Sequence, residues 1–415
     1  MAKQFDPRYE IPKIFSANSG NLKRQHFIEE ETGRSLASQL RRPSNISFFE
    51  KIMCSHWDSP KKKPRVGYFC NMIPQEIILA LGAEPIRLDC GNAAASVVGE
   101  ETLSGDVCPL AKASFGVFMN EESLANSCDV LVIPTSCDAK RKLGEILNAY
   151  KPTFMLNLPS EQNHQQYSKQ SLAEICRLVE FLEQQLKTKL TASSLLRAVN
   201  LGRQRTSIVR DLQALRIAEP RSLSFCDLLL VIQSSIFRQI ELSEWIKEAS
   251  KLRDEAKEFK GEHKNLRPRL ILTGSPMIWP NFKLARIIEE SGAEIVADTL
   301  CTGAQSCFDP LVLDETGRNA LLAALVNKYI YASICPCFVS QATRLNRILS
   351  LASESKADGI INYSLRLCQL FDMETFRLEK TIKSQKIPFL NIRTDYSLED
   401  TEQLRVRIEA FLETL

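Results

Sequence analysis

The stretch Arg65-Val66-Gly67-Tyr68-Phe69-Cys70-Asn71-Met72-Ile73-Pro74-Gln75-Glu76-Ile77-Ile78-Leu79-Ala80-Leu81-Gly82-Ala83-Glu84-Pro85-Ile86-Arg87-Leu88 decides the fold. It opens on an apolar run of strand length, Arg65 to Cys70. Pro74 suits a first helical turn, because its φ is fixed and its missing N–H is not needed there. Gly82 suits the helix end, where a left-handed residue closes the last turn. Glu84 to Leu88 then resumes as a strand. Strands alternating with helices at this spacing predict a parallel, doubly wound α/β sheet.

Working outward, Asp129 to Thr135 and Thr153 to Leu158 read as two further strands of the same sheet. Residues 161–265 carry no strand signal; they are rich in Leu, Gln, Lys, Glu and Arg and read as helices. The α/β pattern returns with strands expected at Arg269–Gly274, Glu294–Asp298, Lys328–Ile334, Asp358–Ser364 and Pro388–Thr394. A helix is expected to open at Pro280, and Ser397 to Asp400 to cap the terminal one. The two halves resemble each other: Met72-Ile73-Pro74 with Gly82-Ala83-Glu84 parallels Met277-Ile278-Trp279-Pro280 with Gly292-Ala293-Glu294. The expectation is an α/β protein of two Rossmann-like domains: an N-terminal helical segment (1–60), a first domain (61–160), a helical connector (161–265) and a second domain (266–415).

A chain of 415 residues exceeds what one core organises. Hydrophobic residues make up 44% and charged residues 25%, the balance of a globular protein. With 53 basic against 50 acidic residues, the net charge of +3 leaves no electrostatic footprint for nucleic acid. No apolar run reaches membrane-spanning length, and Met1-Ala2-Lys3-Gln4-Phe5-Asp6 opens no secretory signal. The expectation is therefore a cytoplasmic protein without nucleic-acid or membrane partners.

Thirteen cysteines against four histidines is the chemical signal. In a reducing compartment, thiols in this number favour metal or redox chemistry over disulfides, and the absence of any C-x-x-C pair argues against a zinc ribbon. Cys70, Cys137, Cys301, Cys335 and Cys368 fall at or just past expected strands, and Cys108 precedes the helix opened by Pro109. Those are the positions where open α/β sheets bind ligands. Cys176 and Cys226 read as core residues, Cys54, Cys90 and Cys128 carry no signal, and Cys307 is ambiguous. Soft thiolates without histidine suit iron–sulfur chemistry. Lys112 and Ser114, one turn behind Cys108, are candidates to line the site, and His56 is a candidate proton donor set against a plain surface histidine.

Several motifs resemble those of the 2-hydroxyacyl-CoA dehydratase and benzoyl-CoA reductase superfamily. They are Val66 to Cys70 with Ile73 to Ala83, Val107-Cys108-Pro109-Leu110-Ala111-Lys112, Gly274-Ser275-Pro276 with Asp298-Thr299-Leu300-Cys301-Thr302-Gly303, Ile361-Asn362-Tyr363-Ser364-Leu365-Arg366-Leu367-Cys368, and the end from Thr394. The resemblance implies an iron–sulfur enzyme fed with low-potential electrons by a separate ATP-hydrolysing activator that carries its own 4Fe–4S cluster. No phosphate-binding G-x-x-x-x-G-K-[ST] loop occurs in this chain. Six placed cysteines resemble the double-cubane group of the superfamily. That likeness implies an 8Fe–9S cluster, with Cys70, Cys108 and Cys137 on one cubane and Cys301, Cys335 and Cys368 on the other. Cys335 is favoured over Cys337 because Ile330 to Cys335 and Val132 to Cys137 span the same distance in similar strands, and Cys90 is a weaker rival to Cys108. The group's activity implies reduction of small multiply bonded molecules such as acetylene, azide or hydrazine, and pairing in the family implies a homodimer. Two alternatives stand beside it: a 2-hydroxyacyl-CoA dehydratase or acyl-CoA reductase subunit with one 4Fe–4S cluster and a sister subunit, and a non-catalytic electron carrier. Ala304-Gln305-Ser306 departs from the arginine that many dehydratases carry after Cys-Thr-Gly.

Overall fold

The computed structural model of the protein describes residues 42–54, 61–119, 127–237, 240–259, 267–339 and 342–415. Its elements run α1 (Ile46–Cys54), β1 (Arg65–Tyr68), α2 (Gln75–Ala80), β2 (Glu84–Arg87), α3 (Ala93–Glu100), α4 (Pro109–Met119), β3 (Val130–Pro134), α5 (Asp138–Leu147) and β4 (Thr153–Leu156). Four long helices follow: α6 (His164–Leu186), α7 (Ala192–Ala218), α8 (Phe225–Phe237) and α9 (Leu242–Glu258). The second half holds β5 (Arg269–Gly274), α10 (Lys283–Glu290), β6 (Glu294–Asp298), α11 (Arg318–Val326), α12 (Ala342–Glu354), β7 (Gly359–Leu365), α13 (Gln369–Ser384), β8 (Phe389–Thr394) and α14 (Thr401–Leu412).

The chain forms two compact units. One draws on Ser55–Asn200 and Leu311–Ser333, the other on Leu201–Pro310 and Ile334–Leu415 together with α1. The passage between them at Asn200 falls inside α7. Each unit holds one four-stranded, wholly parallel sheet, ordered β2-β1-β3-β4 and β6-β5-β7-β8. The α/β class and the two Rossmann-like sheets expected from the sequence are thus present. In both sheets the order reverses between the first and third strands, so a crevice opens beyond the carboxyl ends of β1 and β3, and of β5 and β7.

Parallel strands covered on both faces are mostly apolar, and β1, β3 and β7 are buried throughout, the polar Arg65, Asn362 and Ser364 included. Phe69, Phe115, Leu131 and Leu147 anchor the first core; Ile271, Ile348, Ile360 and Phe389 anchor the second. The run Asp227 to Ile232 lies within α8, which is buried on all sides, as a helix apolar all round must be. The charged helix α9 buries only Trp245, Ala249, Leu252 and Ala256, a single helical stripe. Among the described residues no helix is long and apolar enough to cross a membrane.

Three local expectations are corrected. Lys328–Ile334 is not a strand: α11 continues into a π-helical turn, Asn327–Tyr331. Periodicity cannot separate a short apolar run into strand or helix, and here the side-chain amide of Gln162 holds the turn by donating to the carbonyl oxygens of Ile330 and Ser333, both at 2.6 Å. The helix expected at Pro280 begins at Lys283. Asp400 does stand at the N-cap of α14, but its carboxylate makes no cap bond. It is taken instead by Lys283 Nζ and the Thr394 hydroxyl, both at 2.6 Å.

The π turn carries a buried pair within the first unit. The Tyr329 hydroxyl donates to both carboxylate oxygens of Glu76, at 3.0 and 2.8 Å. Glu76 is buried on α2, directly behind the Cys70 loop. Hydrogen bonds to charged groups contribute about 1.5–3 kcal/mol. Tyr329→Phe should therefore lower stability by about 2 kcal/mol, read as a lower denaturant midpoint with an unchanged slope.

Candidate functional site

In the first unit the chemistry gathers at the sheet's switch point. Cys70 lies two residues past β1 with φ 69°, a left-handed conformation that costs a non-glycine residue about 1 kcal/mol or more. Its N–H donates to Asp89 Oδ2 at 2.7 Å. Asp89 stands just beyond β2, is buried, and pairs with Arg87 Nε at 2.8 Å and Lys140 Nζ at 3.2 Å. Burial works against its charge, but Lys140, Arg87 and the Cys70 N–H outweigh that and bring the carboxyl down to about 2. Cys137 follows β3 as the N-cap of α5, and its Sγ accepts the Lys140 backbone N–H at 3.5 Å.

Lys140 links the two cysteines. Burial opposes its charge, yet Asp89, Cys70 and Cys137 together hold its ammonium well above the usual lysine range. Lys140 is tied to both: its partner Asp89 accepts the Cys70 N–H, and its own backbone N–H donates to Cys137 Sγ. Cys108 sits immediately before α4, its carbonyl accepting the N–H groups of Ala111 and Lys112. That helix is fixed by contact with α3: a Cβ on Gly99 would lie 2.0 Å from the Lys112 carbonyl oxygen, and one on Gly116 2.0 Å from that of Ala95. Lys112 is occupied elsewhere, donating to Glu100 and to the Gly105 carbonyl, both at 2.9 Å. Ser114 accepts the Cys90 N–H at 3.2 Å, and Cys90 Sγ accepts the Asn92 N–H at 3.4 Å. Cys90 therefore has the backbone-to-sulfur bond that its position past β2 alone did not advertise.

The second unit is built differently. Its switch point carries Gly274-Ser275-Pro276 in place of a cysteine. The Ser275 N–H donates to the Tyr363 carbonyl at 2.7 Å, as the Phe69 N–H does to that of Val132 in the first sheet at 3.0 Å; the Ser275 Oγ adds a bond of its own to β7, accepting the Leu365 N–H at 3.0 Å. Cys301 lies three residues past β6, half-buried, in a turn held by Asp298. That carboxylate accepts the N–H groups of Leu300 at 2.9 Å and Ala304 at 3.1 Å. Burial outweighs these bonds and pushes the Asp298 carboxyl up to about 7. In the unfolded chain an aspartate titrates near 3.9. The contribution to stability is thus full below about pH 4 and is lost as the pH rises to about 7. Asp298→Asn should flatten the melting temperature against pH in that window relative to the wild type.

Cys368 is the N-cap of α13 and makes no cap bond through its side chain. Cys335 lies past the π turn rather than past a strand, which removes the matched-strand argument for preferring it to Cys337. The Cys337 thiol beside it, and then burial, push the Cys335 thiol well above its ordinary range. By contrast Cys128 and Cys226 are buried thiols, raised by desolvation, to about 12 in the case of Cys128. His56 lies outside the described residues. Among the described residues no three His, Cys, Asp or Glu side chains converge on one point as metal ligands.

The donor chemistry nonetheless fits an iron–sulfur group. Half-buried thiols end strands or begin helices, backbone N–H groups point at sulfur, and a lysine is joined to the Cys70 N–H through Asp89. Such hydrogen bonds and nearby charge set the potential of thiolate-held clusters. Asp89 and Lys140 were not singled out in the sequence. The signal that could have found Asp89 is a charged residue just past the carboxyl end of an expected strand; Lys140, in the first turn of α5, carries none.

Comparison with known proteins decides the chain's kinship. The profile of the family described as 2-hydroxyglutaryl-CoA dehydratase, D-component, matches residues 70–415. A putative dehydratase subunit, YjiM, of Escherichia coli is 29% identical over 85% of this chain and 91% of its own length. The (R)-phenyllactyl-CoA dehydratase beta subunit of Clostridium sporogenes is 23% identical over 88% and 95%. A benzoyl-CoA reductase subunit of Thauera aromatica is 20% identical over 84% and 90%. These relatives correct the expected activity: they are subunits of acyl-CoA dehydratases and a reductase, not reducers of acetylene, azide or hydrazine at a double cubane. From Cys70 to its end, the chain belongs to the 2-hydroxyglutaryl-CoA dehydratase D-component family.

Proposed function

We propose that the chain is the iron–sulfur subunit of a 2-hydroxyacyl-CoA dehydratase, or of an acyl-CoA reductase of the same superfamily. It carries one 4Fe–4S cluster on three thiolates drawn from Cys70, Cys108, Cys137, Cys301, Cys335 and Cys368. The observation that carries this reading is the switch point of the first sheet, where Cys70 past β1 and Cys137 past β3 are joined through Asp89 and Lys140. The second sheet carries Ser275 after β5 where the first carries Cys70 after β1, which supports one cluster rather than two matched ones. When bound, the cluster would supply single-electron chemistry at low potential. The chain's own residues would hold it, donate backbone N–H bonds to its thiolates, and keep a positive charge beside it.

A sister subunit follows from the relatives' names, which designate single subunits of larger enzymes; this favours a heteromeric enzyme over the homodimer. With no phosphate-binding loop of its own, the chain depends on an ATP-hydrolysing activator for electrons. Anaerobic purification with iron and sulfide analysis tests the cluster: about four iron atoms per chain are expected, as three protein thiolates on one cubane imply. About eight, or none, overturns it. Turnover of a 2-hydroxyacyl-CoA with sister subunit, activator, reductant and MgATP tests the activity. Turnover with a mild donor and no ATP would overturn the dependence on the activator.

A further inference from the structure

We propose that Gln233 is a positioning residue that presents the Cys301 thiol to the iron–sulfur group, a step that rests on the proposed function in taking Cys301 as one of the three thiolates. From Ile295 to Cys307 every residue is buried except Cys301, which is half-buried. One thiol therefore faces outward from a segment whose other side chains all face in. Those inward groups are fixed to one another and to the sheet. Asp298 accepts the N–H groups of Leu300 and Ala304, and a Cβ on Gly303 would collide with its carboxylate. The Thr299 and Thr273 hydroxyls meet at 2.6 Å, which joins the turn to β5. The Thr302 hydroxyl donates to the Met277 carbonyl oxygen at 2.7 Å.

That same carbonyl is where Gln233 acts. Gln233 lies in α8 and is fully buried. The hydroxyls of Ser234 and Ser235 turn back on the carbonyls of Val231 and Ile232 in their own helix, both at 2.7 Å. The Gln233 amide reaches outward instead. Its Nε2 donates to the carbonyl oxygens of Met277 at 2.8 Å and Thr302 at 3.4 Å, and its Oε1 accepts the Trp279 N–H at 3.0 Å. Turned over, the amide would set its oxygen against two carbonyls, so its partners fix its orientation. A buried amide is costly unless hydrogen-bonded; this one spans the loop after β5 and the turn after β6, and the Thr302 hydroxyl closes the triangle on Met277. Gln233 thus acts on Cys301 through its neighbour Thr302. A ligand held by such supporting bonds keeps its geometry when the group it binds arrives.

Gln233→Met keeps the length and the burial and removes the amide. Thr302→Val removes the other arm of the clip and leaves α8 untouched. In both variants the amide hydrogens of residues 299–306 should exchange about tenfold faster, the equivalent of about 1.4 kcal/mol. Exchange mass spectrometry reads this with or without iron. In anaerobically purified protein the EPR lines of the reduced cluster should broaden, and a chelator should strip the iron about tenfold faster. Ile232→Ala is the control for plain destabilisation: Ile232 is a fully buried neighbour on α8, and its loss should lower the melting temperature but leave the EPR lines as in the wild type. Broadened lines in that control would reduce Gln233 to a core residue.

Unchanged exchange at 299–306 in both variants overturns the clip. Iron retained in full by Cys301→Ala overturns its link to the cluster. A wild-type protein without iron would sink the proposed function and, with it, the cluster's part here, whereas unchanged exchange in an iron-bearing protein sinks the role of Gln233 alone.

Discussion

Cys70→Ala is expected to abolish iron binding, leaving anaerobically purified protein colourless, without its visible charge-transfer absorption. Cys70 is the thiol at the switch point of the first sheet, buried to 8% exposure, with its backbone pinned by Asp89. No neighbouring thiol occupies the same backbone position, so alanine there removes a ligand that the loop cannot replace. Cys176→Ala is the control. Cys176 lies on the long helix α6, away from the strand ends, and its loss should leave iron content unchanged. Applied in turn to Cys108, Cys137, Cys301, Cys335 and Cys368, the same measurement selects the other two ligands. Iron retained by Cys70→Ala but lost from Cys176→Ala would overturn the site.

The second large effect is on stability. Gly274→Ala should lower the melting temperature of the second unit by on the order of 10 °C. Gly274 ends β5 with φ 124°, a conformation that L side chains rarely adopt, and a Cβ there would stand 1.9 Å from the Tyr363 carbonyl oxygen. Backbone strain of this kind costs about 1–3 kcal/mol, and overpacking adds about 1–3 more. Neither can relax cheaply, because the obstructing atom is main chain of the central strand β7, which also accepts the Ser275 N–H. For a unit of this size each kcal/mol shifts the midpoint by about 2–4 °C. Gly292→Ala is the comparison: its φ is 89°, but a Cβ meets nothing within 4 Å, so only the strain remains and the shift should be roughly half. Equal shifts in the two variants would remove the close-contact argument.

What the sequence by itself determined was local. The alternation of apolar runs with Pro74-type starts and Gly82-type ends establishes strands and helices because periodicity and caps depend on near neighbours. The same local signals place Cys70, Cys137 and Cys301 past strands and Cys108 and Cys368 at helix starts. What only the tertiary structure decided depends on which strands lie side by side. Lys328 to Ile334 has the composition of a strand, but Gln162, distant in sequence, holds it as a turn. Asp89 and Lys140 are 51 positions apart and meet because β2, β1 and β3 are neighbours in one sheet. Two related halves differ past their first strands because Ser275 Oγ bonds to the end of β7 in one, whereas the Cys70 N–H bonds to Asp89 past β2 in the other. Such contacts arise from strand order and burial, which no window of neighbouring residues contains.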